Sequence, residues 1–288
     1  MSKNCRCSFY FDNYHIKSLI KSNVVKYLTD LGIIPVVYCQ KATQIDAGTT
    51  YEMPKKKKGV CKFRKRKFEG FVGSKGDVIL DLMPKKVATL RTGQMVKIPV
   101  RLQILCNFVL KNAEVEEIFI KPGHQIKQEN IKAVLNKGEA LPADANPVDV
   151  AQIILQFLKE LPVPVIPECQ HQFLLTCYDH ADREDVLPLA CLLLPPNHVN
   201  LLAYLMQFFE QISTHHKRNK MTVATLGKCV GPLIMPVNAP EDIKKVVNIM
   251  VTLMRRADLI GMVPELMTLE PKPSRRRRSW VESLLKRC

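Results

Sequence analysis

Long apolar runs are missing from these 288 residues. The longest, Leu189–Leu194 and Leu201–Phe209, are short and interrupted. A membrane span needs roughly 18–20 apolar residues, so no span is expected. The first residues, Met1-Ser2-Lys3-Asn4-Cys5-Arg6, lack the apolar stretch of an export signal, and secretion is not expected. The ten cysteines form no C-x-x-C pair. Cys5-x-Cys7 is too closely spaced for a paired zinc ligand, so no metal site is expected, and the thiols read as reduced core filling. Nucleophile-elbow, Walker and zinc-protease patterns are absent, which leaves no cofactor to expect. Cys288 is not followed by the three residues that prenylation requires. Period-two alternation is also missing, so strands are not expected.

Acidic residues are scarce: 27 Asp+Glu against 43 Lys+Arg, a formal charge of +16. The imbalance is local. Residues 95–270 hold 17 basic and 19 acidic side chains, whereas the flanks hold 26 and 8. A near-neutral body with basic flanks follows. One basic block is Lys55, Lys56, Lys57, Lys58, Arg64, Lys65, Arg66 and Lys67, with Lys62 between; the other is Arg275, Arg276, Arg277 and Arg278. Dense like charge repels itself and stays solvated. Three readings stand: a solvated run, a nuclear-import signal for an import receptor, or contact with nucleic acid or anionic lipid. Only Phe63, Phe68 and Trp280 could stack on bases there, which weighs against nucleic acid. Nucleus and/or cytoplasm is the expected location. Ser279 follows four arginines, where phosphorylation would weaken the local positive field.

At 47% hydrophobic the chain has ample core material. Ile16, Leu19, Ile20, Val24, Tyr27 and Leu28 follow helical spacing up to Gly32. Residues 38–90 show no sustained period and read as linker and lead-in. From Pro99 onward helical stripes succeed one another. They are Val100, Ile104, Leu105, Phe108 and Val109; then Val150 to Leu161 behind an Asn146 cap, Pro147 and Asp149; then Phe173, Leu174 and Cys177. Next come Leu201 to Ile212 after a cap at Asn197, a helix from Thr222, and Ile243 to Met254. The expected fold is all-α, about seven to nine helices, over residues 70–268. An N-terminal helical segment (1–36), a basic linker (37–69) and a basic tail (269–288) flank it.

Four segments give the body a family resemblance. Lys159-Glu160-Leu161-Pro162-Val163-Pro164-Val165-Ile166-Pro167 is similar to R-E-L-P-x-P-L-I-P. Leu194-Pro195-Pro196-Asn197 leads into a leucine stripe, and Asn219-Lys220-Met221-Thr222 precedes Gly231-Pro232, as in N-K-M-T…F-G-P-N. Glu117-Ile118-Phe119-Ile120-Lys121-Pro122-Gly123 resembles G-I-F-R-x-x-G. In order and spacing these resemble the RhoGAP domain, whose arginine finger accelerates GTP hydrolysis on Rho-family GTPases.

The resemblance implies a site and shows departures from it. Ile120 stands where the finger belongs, with Lys121 beside it. Leu155 stands for the family's lysine, Lys159 for its arginine, Leu233 for the asparagine of F-G-P-N, and Glu117 for the glycine before I-F. Asn219 and Lys220 are retained. The GTPase-contact positions implied are therefore Ile120, Lys121, Leu155, Lys159, Asn219, Lys220 and Leu233. An aliphatic side chain supplies neither charge nor donor. The expectation is a pseudo-enzyme with little or no GTPase-activating activity, binding a Rho-family GTPase weakly or another protein instead. A working activator, with Lys121 as the substitute cation, is the alternative. If the match is in register, Ile120, Leu155 and Leu233 gather on one face as an apolar protein-binding patch.

Overall fold

A computed structural model describes residues 14–33 and 83–264. The chain divides into two compact units, residues 49–261 and the two ends. In the N-terminal unit, helix α1 (Tyr14–Asp30) buries Ile20, Val24, Val25 and Leu28. Gly32, at φ +75°, ends it in the left-handed turn that favours glycine. The amides of Gly32 and Ile33 bond back to the carbonyls of Thr29 and Leu28.

The larger unit opens with an unexpected element, an antiparallel hairpin of β1 (Lys85–Thr89) and β2 (Met95–Pro99). Ala88, Val96 and Ile98 point inward, whereas Val87, Met95 and Lys97 face out. The alternation spans only five residues per strand, and the lysines in β1 mask it. Gly93, at φ +82°, makes the turn.

Nine helices longer than one turn are present among the described residues. After α1 come α2 (Val100–Lys111), α3 (Gln125–Asn136), α4 (Pro147–Glu160), α5 (His171–Tyr178) and α6 (Arg183–Ala190). Then follow α7 (Pro196–Thr214), a single turn α8 (His216–Asn219), α9 (Val223–Ile234) and α10 (Pro240–Arg255). The expected helical body is present, with the hairpin as its one departure in class.

Two helices form the centre. α4 packs against α2, α3 and α9, and α7 carries the hairpin and packs against α10. Asn146 caps α4 as expected, its Oδ1 accepting from the Val148 amide at 2.9 Å, with Pro147 in the first turn. Thr222 caps α9 through the Thr225 amide at 3.1 Å. Asn197 is not the cap of α7: that helix starts at Pro196, behind Pro195. Two fixed φ angles set the start without a side-chain acceptor.

The stripes of α2 and α10 differ from expectation, Ile243 of α10 being exposed and Ile249 buried in its place, and α3 is a helix that no stripe foretold. α2 buries Leu102, Leu105, Cys106 and Val109, leaving Ile104 exposed and Phe108 half-buried. Its apolar residues fit two offsets, and the buried one contains Cys106, whose thiol pairs with Tyr204 of α7. α3 has no apolar stripe to signal it, because Gln128 and Lys132 lie on its buried face and Ile126 points to solvent.

Cys106, Cys177 and Cys191 are core, but Cys169 is exposed and Cys229 half-buried. Burial pushes the Cys191 thiol up to about 12, and those of Cys106 and Cys177 higher still. No helix among the described residues is long and apolar enough to cross a membrane.

Candidate functional site

Between α2 and α3 the chain makes a tight loop, residues 112–124, that carries Ile120. Its apolar residues anchor it first. Ile118 is fully buried, and Phe119 packs edge-on against Phe208 and Phe209 of α7, ring centroids 6.1 and 5.5 Å away. Ile120 then turns outward and is 50% exposed. A turn around Glu117 produces the reversal: the amides of Ile120 and Lys121 both donate to the Glu117 carbonyl, at 2.8 and 3.0 Å. Glu117 itself sits at φ +55°, a conformation most side chains avoid.

Asn219 holds one side of the loop. Its side chain is fully buried. Nδ2 donates to the carbonyls of Ala113 (2.6 Å) and Ile212 (2.9 Å), and Oδ1 accepts from the Met221 amide (2.7 Å). Its own carbonyl accepts from the Glu117 amide at 2.8 Å. Asn219 therefore offers no side-chain surface to a partner and acts as a brace from within.

The other side is held from α4. Gln152 Nε2 donates to the carbonyls of Lys121 (2.8 Å) and Phe119 (3.4 Å). Asp149, which was expected only to complement the helix dipole, is fully buried, and its Oδ1 accepts from the His124 amide at 2.5 Å. Gln128 donates to the Pro122 carbonyl at 2.9 Å and accepts from Gln156 at 2.7 Å. Gly123 fits beneath, at φ +67°; a Cβ there would collide with Asp149 and Gln128.

The cations around the loop are paired. Lys121 lies 3.9 Å from Glu117, Arg218 binds Glu114, and Lys220 binds Glu116. His215 Nδ1 is 3.7 Å from Glu114. The hydrogen bond from Arg218 holds the Glu114 carboxyl below its ordinary range, as that from Lys220 does for Glu116; Lys220 is raised in turn by Glu116. These pairs are solvent-facing, so they orient the loop more than they stabilise it. Nothing in the sequence pairs these glutamates with a turn a hundred residues away.

The remaining positions lie on α4 and α9. Gln152, Leu155, Gln156 and Lys159 share one face of α4, at i, i+3, i+4 and i+7. Leu155 is half-buried and Lys159 exposed. Leu233, also half-buried, lies in the last turn of α9, which packs on α4. The neighbouring Ile234 carbonyl accepts from the Ile166 amide at 3.0 Å, joining this end to the Leu161–Pro167 segment. The basic blocks at 55–67 and 275–278, and Ser279, lie outside the described residues. No cluster among the described residues suits a metal ion.

Comparison with known proteins gives this arrangement a family. Residues 99–239 match the RhoGAP domain. Human Rho GTPase-activating protein 11A is 29% identical over 189 residues, covering 62% of this chain and 18% of that protein. Rho GTPase-activating protein 19 of Xenopus laevis is 32% identical over 154 residues, covering 46% and 30%. The chain thus spans less than a third of either relative. Among solved structures, human Rho GTPase activating protein 15 matches with a TM-score of 0.52 at 19% identity, over 56% of this chain and 83% of that one. The BH domain of the GTPase regulator associated with focal adhesion kinase matches at 0.54 and 18%, over 57% and 95%. These likenesses show the fold. From the motifs, the helical frame and the family match together, residues 99–239 belong to the RhoGAP domain family.

Proposed function

We propose that this chain is a RhoGAP-type signalling module that engages a Rho-family GTPase, weakly, or another protein, and does not accelerate GTP hydrolysis as an arginine finger would. One observation carries the reading: the exposed residue that follows the buried Ile118-Phe119 pair, where the family motif has its arginine, is Ile120, a hydrocarbon. A finger stabilises charge on the transferring phosphoryl group and is worth about 10³–10⁵ in rate, roughly 4–7 kcal/mol. Isoleucine has neither charge nor donor with which to supply any of that.

Lys121 is a poor replacement. Its ammonium lies 3.9 Å from the Glu117 carboxylate, and it lacks the planar fork that spans phosphate oxygens. Leu155 and Leu233 remove two further polar groups from the contact surface, which supports weaker GTPase binding. Ile120, and Ile126 at 78% exposed, favour an apolar contribution to whatever contact is made.

Single-turnover GTP hydrolysis by Rho-type and Rac-type GTPases, with this chain in excess, tests the proposal. The rate should stay within about threefold of the intrinsic one, against the 10³ or more a finger supplies. A thousandfold acceleration by the unmodified chain would overturn the reading and return Lys121 to consideration.

A further inference from the structure

We propose that Gln152 and Asp149 are positioning residues, which hold the loop backbone so that residue 120 is presented outward whatever its side chain. Presentation of residue 120 to a GTPase rests on the RhoGAP reading above; the holding of the loop rests on geometry alone. Gln152 takes the carbonyls of Phe119 and Lys121, the two residues that bracket Ile120. Gln128 takes the next carbonyl, Pro122, and Asp149 takes the His124 amide. The polar groups of the loop's descending arm are thus tied to side chains of α3 and α4, not to the side chain of residue 120. With Ile118 and Phe119 buried, residue 120 is directed outward by its neighbours.

The energetics argue the same way. Asp149 is a fully buried carboxylate, and its Oδ2 has no hydrogen-bond partner. A buried, half-satisfied carboxylate is destabilising in itself. What it gains is the His124 amide at 2.5 Å, together with a van der Waals floor that only glycine at 123 can approach. The same helix face then runs from Gln152 to Leu155 and Lys159, so one rigid element sets the loop and carries two of the contact positions. The structure assigns to α4 a shaping function that does not depend on the finger. The loop of this chain is accordingly competent to present an arginine.

The test uses the full chain refitted with Ile120→Arg, Leu155→Lys and Leu233→Asn, assayed by single-turnover hydrolysis across a range of concentrations. The refitted chain should accelerate hydrolysis at least about a hundredfold, part of what a finger gives. Adding Gln152→Ala or Asp149→Ala should lower the saturating rate about tenfold or more, with little change in half-saturating concentration, because the finger is misplaced and not lost. Asp149→Asn, which keeps an oxygen acceptor for the His124 amide, should recover most of the rate.

A second readout needs no GTPase. In the unmodified chain, Asp149→Ala should speed amide exchange at His124 about tenfold while leaving the core amides of Ile153 and Ile154 unchanged. Refitted chains that run equally fast with and without Gln152 and Asp149 would overturn the proposal. So would a refitted chain that stays inert although its His124 amide is protected. Acceleration by the unmodified chain would sink the functional reading instead, and the exchange result would still judge the positioning.

Discussion

Replacing Asn219 with alanine removes three hydrogen bonds at a point with no access to water. The donors to Ala113 and Ile212 disappear, and so does the acceptor for the Met221 amide. The Ile212 carbonyl keeps the His215 amide at 3.2 Å, but the Ala113 carbonyl and the Met221 amide are left buried, and each such group costs about 1–3 kcal/mol when unsatisfied. Allowing for partial relaxation, a loss of about 2–4 kcal/mol is expected, a large share of the 5–15 kcal/mol that typically holds a domain together. Asn219→Asp is an instructive comparison. It preserves the acceptor for Met221 but loses both donors and sets a carboxylate against two carbonyl oxygens, so it should be no less damaging. Urea unfolding followed by helical circular dichroism measures both variants. Amide exchange at Glu117 in the alanine variant adds a local reading, because that amide bonds to the Asn219 carbonyl. If Asn219→Ala cost less than about 1 kcal/mol, the amide would not be the brace described, and the family motif that contains it would need another explanation.

Two further perturbations test the same frame. Gly123→Ala should destabilise by about 2 kcal/mol or more, because the new Cβ combines a left-handed φ with a collision against Asp149; a neutral result in urea unfolding would mean that the loop floor is soft. Thiol labelling at pH 8 should modify Cys169 and Cys229 well before Cys106, Cys177 and Cys191, whose raised thiols and burial leave almost no accessible thiolate; rapid labelling of Cys191 in the folded chain, detected by peptide mass, would contradict the packing.

Much of the helical frame was legible because burial enforces period. The stripes of α4 and α7 read directly, and so did the Asn146 cap and the helix start at Thr222, whereas in α10 the expected Ile243 is exposed and Ile249 takes the buried face. What escaped reading has a common cause: polar residues used as interior parts. Gln128 and Lys132 sit on the buried face of α3 and erase its stripe. Lys85 and Lys86 make β1 look like lead-in, although Ala88 and the Val96–Ile98 pair point into the body. In α2, Leu102 and Cys106 lie on the buried face where Ile104 and Phe108 were expected.

The site divides along the same line. Which side chain stands at position 120 is a sequence fact, and its match to the finger position is an expectation from the motif register. How that position is held is a matter of contacts between residues 25 to 106 apart, as with Asp149 to His124 and Asn219 to Ala113, and no local pattern announces those pairs. Asp149 shows the difference most plainly. In a string of letters it is an acid in a first helical turn, adequately explained by the dipole. In the fold it is a buried oxygen aimed at a loop amide. Ile120, Leu155 and Leu233 keep part of their surface toward solvent, whereas the side chains of Asn219, Gln152, Gln128 and Asp149 are spent on hydrogen bonds that shape the loop. Substitution at an exposed contact position is tolerated by the fold, while loss of a brace strands buried polar groups. Exposed positions on this loop are therefore freer to vary than the braces that shape it.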